Sequence, residues 1–246
     1  MNSPPALDAL PSFLLAAGRG ERMRPLTDTT PKPLLQIQGK SLLQWHIEAL
    51  VTANTNRIVI NHAWLGEQIE LALGNGAKWG IEIQYSPEET ALETAGGIRQ
   101  ALALLNPDPY FLVINGDVFC PGLPIAAFTN RFQAHLNGGA KPLAYLALVP
   151  NPPQHPEGDF YLHGDHVSDK PSKAEFQETK LTFSGIGIYH QSLFKDLQPG
   201  KAAKLAPLLR SAMAENDVFG EKYTGPWHDV GTPQRLHELN QSYDPK

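Results

Sequence analysis

SFLLAAGRGERMRPLTDTTPKPLL, residues 12–35, decides how the rest of the chain is read. Its first six residues form a short, wholly apolar run, which fits a strand covered on both faces. The run stops at Gly18. Residues 18–33 are polar and contain Pro25, Pro31 and Pro33, so they read as a loop, and loops this long inside a compact domain are usually functional. In an open parallel sheet, ligands bind at the carboxyl ends of the strands, which makes this loop the expected binding segment. Gly18 and Gly20 let the backbone approach a phosphate closely, and Arg19, Arg22, Arg24 and Lys32 add four cations. The formal net charge of the whole chain is −5, so this clustering is local. Cations set over glycines point to a polyphosphate ligand.

Outward from this loop, strand and helix signals alternate. Ser41 with Gln44 reads as a capping box that opens a helix, and Leu43, Ile47 and Leu50 follow at helical spacing. RIVINH (57–62) reads as a strand, residues 65–73 as a helix, IEIQYS (81–86) as a strand, residues 95–105 as a helix, and YFLVING (110–116) as a strand. Such alternation implies right-handed crossovers, a parallel sheet and helices on both faces. After about residue 140 the pattern changes. LAYLALV reads as a strand and NPPQHPEGD as a proline-rich loop, followed by short strands in FYLHGDHV and TFSGIGIYH. Helices are expected over 204–215 and from Thr232-Pro233, a cap followed by proline at the first helical position. The expected fold class is α/β, a Rossmann-like three-layer, mostly parallel sheet. Residues 1–11 read as a loose leader and 12–246 as one domain, whose C-terminal strands and helices cover one sheet edge.

Composition excludes several classes. The 246 residues are 41% hydrophobic, and with glycine added they fall in the globular range. The negative balance argues against a partner held by phosphate contacts along a nucleic acid. Cys120 is the single cysteine, so neither an intrachain disulfide nor a cysteine-based zinc site can form. No apolar run approaches the ~20 residues of a membrane helix, and MNSPPALDALPS lacks the pattern of a secretory signal. A cytoplasmic protein with no membrane partner is the expectation.

Two phosphate-binding motifs fail on inspection. A dinucleotide fingerprint needs a third glycine where Met23 stands. A P-loop ending at Gly39-Lys40-Ser41 needs a glycine where Leu34 stands. NGDVF carries Asp117 one step past the end of an expected parallel strand. There a carboxylate could face a triphosphate and take a hard cation, although the same residues also make an ordinary turn. Asp229 in WHDVGTP reads equally as a turn or capping acid. His155, His163 and His166 match no zinc spacing and read as surface histidines.

The loop GRGERMRPLTDTTPKPLL resembles the signature of the sugar-1-phosphate nucleotidyltransferases, and the likeness runs from about residue 12 to 243. INHAWLGEQIE, LETAGGI, VINGDVF, LTFSGIG, KLAPLLRSAM and WHDVGTPQRL extend it. They are most similar to the branch that joins UTP to N-acetylmuramate α-1-phosphate in peptidoglycan recycling. The resemblance implies the nucleotide-diphospho-sugar transferase type of fold, with Arg22 and Lys32 as catalytic contacts to the nucleotide phosphates. It implies nucleotide binding by Ala16, Ala17, Gly18, Gly20, Ser86, Thr94 and Asn115. Glu93 stands where many relatives have glycine. Asp117 and Asp229 become the expected ligands of Mg2+, while Gly158, Asp159, Lys170, Ser184 and Gly185 become the expected sugar-side residues. Lys170 matches the family's Glu-Lys-Pro lysine, which the muramate branch does not clearly keep. The implied partners are UTP and a sugar 1-phosphate, with no nucleic acid and no visible oligomerisation module. Glucose or mannose 1-phosphate, phosphocholine, or a non-catalytic nucleotide-sugar sensor are the alternative readings. No hexapeptide repeat occurs, which argues against an added acetyltransferase domain.

Overall fold

A computed structural model describes residues 10–106, 109–172 and 179–243. Residues 1–9 of the expected leader lie outside the described residues. The backbone enters at Leu10, buried in the core, and forms β1 (Ser12–Leu15), β2 (Gln36–Ile37), β3 (Lys40–Ser41), α1 (Leu42–Thr52) and β4 (Arg57–His62). Next come α2 (Gly66–Leu73), β5 (Glu82–Pro87), α3 (Glu93–Leu105), β6 (Tyr110–Asn115), β7 (Val118–Phe119), α4 (Ile125–Asn137) and β8 (Ala144–Val149). The remainder is β9 (Tyr161–His163), β10 (His166–Ser168), β11 (Thr182–His190), α5 (Leu205–Ala214), β12 (Val218–Lys222), β13 (His228–Asp229) and α6 (Pro233–Ser242).

The main sheet has nine strands in the order β5-β4-β1-β6-β11-β8-β12-β10-β9. The first four are mutually parallel, and β8 and β12 form a further parallel pair. β11 runs antiparallel to both of its neighbours, as does β10. The sheet is thus mixed, with most strands pointing one way, as the alternation of signals requires. Connections from β1 turn one way to β4 and β5, and the chain then returns to place β6 on the other side. The order therefore reverses between β1 and β6, where a crevice opens at the carboxyl ends.

Alternating side chains along the strands feed two cores. On one face Leu14, Ile58, Ile60, Leu112 and Ile114 pack with Leu43, Ile47 and Leu50 of α1, Ile69 of α2 and Phe128 and Phe132 of α4. On the other face Phe13, Val59, Phe111 and Val113 meet Ala95, Ile98 and Ala101 of α3 and Leu209 and Met213 of α5. Helices cover both faces, and period 2 along each strand is the reason. α4 has no counterpart in the sequence reading; its N-terminal Pro124 makes no side-chain cap bond.

A third, smaller cluster joins Met23, Leu35 and Ile37 to Phe119, Val230, Leu236 and Leu239. It ties residues 21–37 to β7 and α6, so the loop after β1 packs against the C-terminal helix. The expected box at α1 is half formed. Ser41 Oγ accepts from Gln44 N at 3.2 Å, but the Gln44 amide turns outward to Glu48 at 2.8 Å. The cap of α6 matches expectation, Thr232 Oγ1 accepting from Arg235 N at 3.3 Å. Among the described residues no helix is long and apolar enough to cross a membrane.

Candidate active site

The loop after β1 is built of three short 3-10 turns, Glu21–Met23, Leu26–Asp28 and Lys32–Leu34. Gly20 has φ 68°, and a Cβ there would meet Lys32 Cβ at 3.0 Å and Thr27 Cγ2 at 3.1 Å, so the residue is a tight corner. The loop is also held from outside. Trp64 Nε1 and Arg19 Nη1 both donate to Thr27 O, at 3.1 and 2.8 Å, Arg19 stacks on the Trp64 ring, and Gln68 Nε2 reaches Thr29 O.

These bonds sort the four cations. Arg19 and Arg24 both face Asp28, and Lys32 Nζ lies 2.7 Å from Asp117 Oδ2. Arg22 is exposed and, among the described residues, pairs with no carboxylate. Lys32 is buried, its side chain only 9% exposed. An ammonium has three donors, so a single bond to Asp117 leaves two for a ligand.

A cavity of about 290 Å3 sits at the β1/β6 crevice, lined by Ala16, Ala17, Gly18, Lys32, Thr94 and Asn115 among others. Beneath it lies a network that the sequence did not announce. Asn61 Oδ1 accepts from Ala16 N at 2.7 Å, and Asn61 Nδ2 donates to Glu88 Oε1 at 2.7 Å. Glu88 Oε2 accepts from Leu92 N at 2.8 Å, at the start of α3. Glu88 is buried, and desolvation pushes its carboxyl above the ordinary value against those hydrogen bonds. Glu93, on the same wall, has φ 60°, the left-handed conformation in which glycine is at ease.

A second cavity, about 280 Å3, shares Asn115 and Asp117 with the first and adds Asp159, Ser184, Gly185 and Asp229. β13 pairs with β7, Asp229 opposite Val118, and Val230 N donates to Asp117 O at 3.0 Å. Two carboxylates from distant segments are thereby held at one strand pair. Arg235 Nη1 contacts Asp229 Oδ2 at 2.7 Å. The sheet register slips between Phe183 and Gly187, and Gly185 has φ 80°, with Asn115 packed where a Cβ would stand. Asp159 Oδ2 accepts from Phe183 N, and its Oδ1 meets His155 Nε2 at 3.1 Å. Trp227 donates to Ser184 O at 2.9 Å.

The largest cavity, about 970 Å3, is an outer cleft reached from the second through Pro152, Gln154, Trp227 and Asp229.

Most of the expected residues converge on the two inner cavities. Ser86 is buried on β5 opposite Asn61, outside the lining. Gly158 lies outside the lining of the second cavity, next to Asp159; its φ is 62°, and a Cβ would strike Asn151. Lys170 is exposed after β10, its carbonyl bonded to His163, and belongs to none of the three cavities. His155, read as a surface residue, lines the second cavity, whereas His163 and His166 stand opposite each other in the β9–β10 hairpin rather than in loops.

Among the described residues no group of three His, Cys, Asp or Glu side chains could hold a metal. The donor set of Asp117 and Asp229 nevertheless suits a hard cation that takes one or two carboxylates and completes its shell with water and phosphate oxygens, as Mg2+ does.

The family model described as Nucleotidyl transferase matches residues 12–245. N-acetylmuramate alpha-1-phosphate uridylyltransferase of Neisseria meningitidis serogroup B is 53% identical over 229 residues, 92% of this chain and 95% of that protein. The protein of the same name from Caulobacter vibrioides is 30% identical over 91% of this chain and 92% of its own length. Mannose-1-phosphate guanylyltransferase catalytic subunit beta of Drosophila pseudoobscura pseudoobscura is 31% identical, and the chain spans 65% of its length. A solved structure titled as a putative glucose-1-phosphate thymidylyltransferase from Bacillus anthracis superposes with TM-score 0.81 at 20% identity, covering 95% of this chain and 94% of that one. With its crevice at the strand-order reversal and a family match spanning nearly its whole length, the chain belongs to the nucleotidyl transferase family, as a sugar-1-phosphate nucleotidyltransferase.

Proposed function

We propose that the chain transfers a uridylyl group from UTP to N-acetylmuramate α-1-phosphate, forming UDP-N-acetylmuramate and pyrophosphate. The observation that carries this reading is the pair of cavities meeting at Asn115 and Asp117, one lined by the glycine loop and Lys32, the other by Asp159, Ser184 and Asp229. Two anionic substrates can enter from opposite sides and meet at a shared wall. The high identity to the Neisseria uridylyltransferase supports the choice of base and sugar.

In this reading the sugar phosphate attacks the α-phosphorus in line. Its second pKa is about 6, so it is already mostly dianionic at neutral pH and needs no general base. The chain's task is to hold two mutually repelling anions in line and to neutralise the charge that grows on the leaving pyrophosphate. Lys32 does so from the cavity wall, its ammonium already aimed by Asp117, and Arg22, paired with no carboxylate among the described residues, brings its guanidinium from the loop. Ala16, Ala17, Gly18, Thr94 and Asn115 bound the nucleotide side, with Ser86 behind them, and Gly20, outside the lining, makes the corner of the loop against Lys32. Asp159, Ser184 and Gly185 bound the sugar side, with Gly158 next to Asp159, while Lys170 lines none of the three cavities. Asp117 and Asp229 would hold Mg2+, which when bound neutralises phosphate charge between the two substrates. Residues from 12 onward act as one catalytic unit, and the need for UTP makes the cytoplasm the expected compartment.

The test is pyrophosphate release with Mg2+, crossing four nucleoside triphosphates with N-acetylmuramate, N-acetylglucosamine, glucose and mannose 1-phosphates and phosphocholine. Release with UTP and N-acetylmuramate 1-phosphate is expected. Release with another pair moves the substrate and keeps the chemistry; silence across the panel refutes the reading.

A further inference from the structure

N-acetylmuramate differs from N-acetylglucosamine by a lactyl ether, and so by one carboxylate. That carboxylate has to be placed in a region already crowded with negative charge. The second cavity presents Asp117, Asp159 and Asp229, and the adjoining outer cleft adds Glu238. An anionic substituent enters such a region only if a cation meets it.

Among the described residues lining these two spaces, Arg235 is the one permanent cation. Two imidazoles also line them. His155 is committed through Nε2 to Asp159, and His228, like any imidazole, is not a permanent cation. Arg235 itself is only partly committed. Its Nη1 contacts Asp229 at Oδ2 and, more weakly, at the carbonyl oxygen 3.4 Å away, while among the described residues Nε and Nη2 make no protein hydrogen bond. The guanidinium fits against Asp229 because residue 231 is glycine; a Cβ there would lie 3.0 Å from Nη1. The side chain is 28% exposed and lines the outer cleft at Asp229, the boundary with the sugar cavity. One edge of the guanidinium is therefore fixed on a carboxylate of the reaction centre, and the rest is open to a ligand, an arrangement suited to reading a second anion.

We infer that Arg235 is the residue that recognises the lactyl carboxylate and so separates N-acetylmuramate 1-phosphate from N-acetylglucosamine 1-phosphate. The inference rests on the proposed reaction. It gives the outer cleft a role that a plain hexose would not require.

The experiment compares kcat/KM for the two sugar phosphates with UTP in wild type, Arg235→Gln and Arg235→Lys. Calorimetric binding of UDP-N-acetylmuramate and UDP-N-acetylglucosamine runs alongside as a readout independent of turnover. Releasing Asp229 costs both substrates by a common factor, so the ratio isolates the lactyl contact. One lost charge-assisted hydrogen bond predicts that Arg235→Gln lowers the preference for the acid-bearing sugar about ten- to hundredfold, with Arg235→Lys between it and wild type. Equal losses on both sugars, leaving the ratio unchanged, overturn the inference and reduce Arg235 to a residue that orients Asp229. A wild-type enzyme with no preference between the two sugars overturns the substrate reading itself, and this inference with it.

Discussion

Gly97 tests whether the buried network under the first cavity is as tight as its distances. In a helix interior, glycine to alanine ordinarily stabilises by about 1 kcal/mol, because alanine loses less backbone freedom on folding. Here the added Cβ would stand 2.7 Å from Glu88 Oε1 and 2.8 Å from Asn61 Nδ2. Neither neighbour is a loose chain end. The carboxylate is held by Asn61 and Leu92, and the amide by Glu88 and Ala16. Relief demands that the Asn61–Glu88 bond open, and forcing extra volume into a packed interior costs about 1–3 kcal/mol. Loosening a buried hydrogen bond to a charged group adds about 1.5–3 kcal/mol. Against about 1 kcal/mol of propensity, the clash wins, and Gly97→Ala should be destabilised by about 1.5–5 kcal/mol. Urea unfolding reads this directly, and thermal unfolding should fall by about 2–4 °C per kcal/mol for a chain of this size. Because Asn61 also holds the Ala16 amide, UTP binding should weaken in parallel. A Gly97→Ala protein as stable as wild type would show that the network is slack, and would remove the argument that it fixes the first turn after β1.

Three further outcomes follow from the geometry. Lys32→Ala should lower pyrophosphate release by about 10²–10³-fold while unfolding remains cooperative; near-normal turnover would detach Lys32 from the chemistry. Trp64→Ala removes both the stacked ring under Arg19 and the bond to Thr27 O, so KM for UTP should rise several-fold while kcat changes less. Trp64→Phe, which keeps a ring face, should fall between the two, and a KM identical to wild type in the alanine variant would mean the loop holds its own shape. Burial raises the Glu88 carboxyl above its ordinary 4.5, so the folded chain keeps that proton to higher pH than the unfolded chain does. The stabilisation is complete below pH 4.5 and fades as pH rises through the folded value, and Glu88→Gln should flatten this part of the stability profile. An unchanged slope in that variant would assign the pH dependence to other groups.

Much of the nucleotide half was legible because its signals are local. The apolar run of β1, the glycines and cations behind it, and the strand–helix alternation through β6 each lie within a few residues. What escaped reading depends on contacts between distant segments. Asn61 and Glu88 are 27 residues apart and meet because β4 and β5 pair in parallel register, with Asn61 opposite Ser86. Nothing near either residue announces the bond. β11 enters the sheet between β6 and β8 with a register slip at its start, and no pattern in TFSGIGIYH specifies that neighbour. Glu93 was visible as an odd residue for its place, and its positive φ explains why glycine would suit it. α4 could have been read from Ile125, Phe128 and Phe132, spaced as a buried helix stripe. Lys170 was placed by a motif match alone; the hairpin β9–β10 sets it at the far sheet edge, where it lines none of the three cavities.

The wall shared by the two inner cavities has a consequence for how such an enzyme is throttled. In the proposed reaction UTP would fill one chamber and the sugar phosphate the other, whereas the nucleotide sugar would fill both at once across Asn115 and Asp117. Bound product therefore excludes either substrate, and its inhibition should be competitive against both. Pyrophosphate touches only the nucleotide chamber and cannot act in this way on the sugar. On this reading, when consumption of the nucleotide sugar slows, synthesis would be held back at the same surface that performs it.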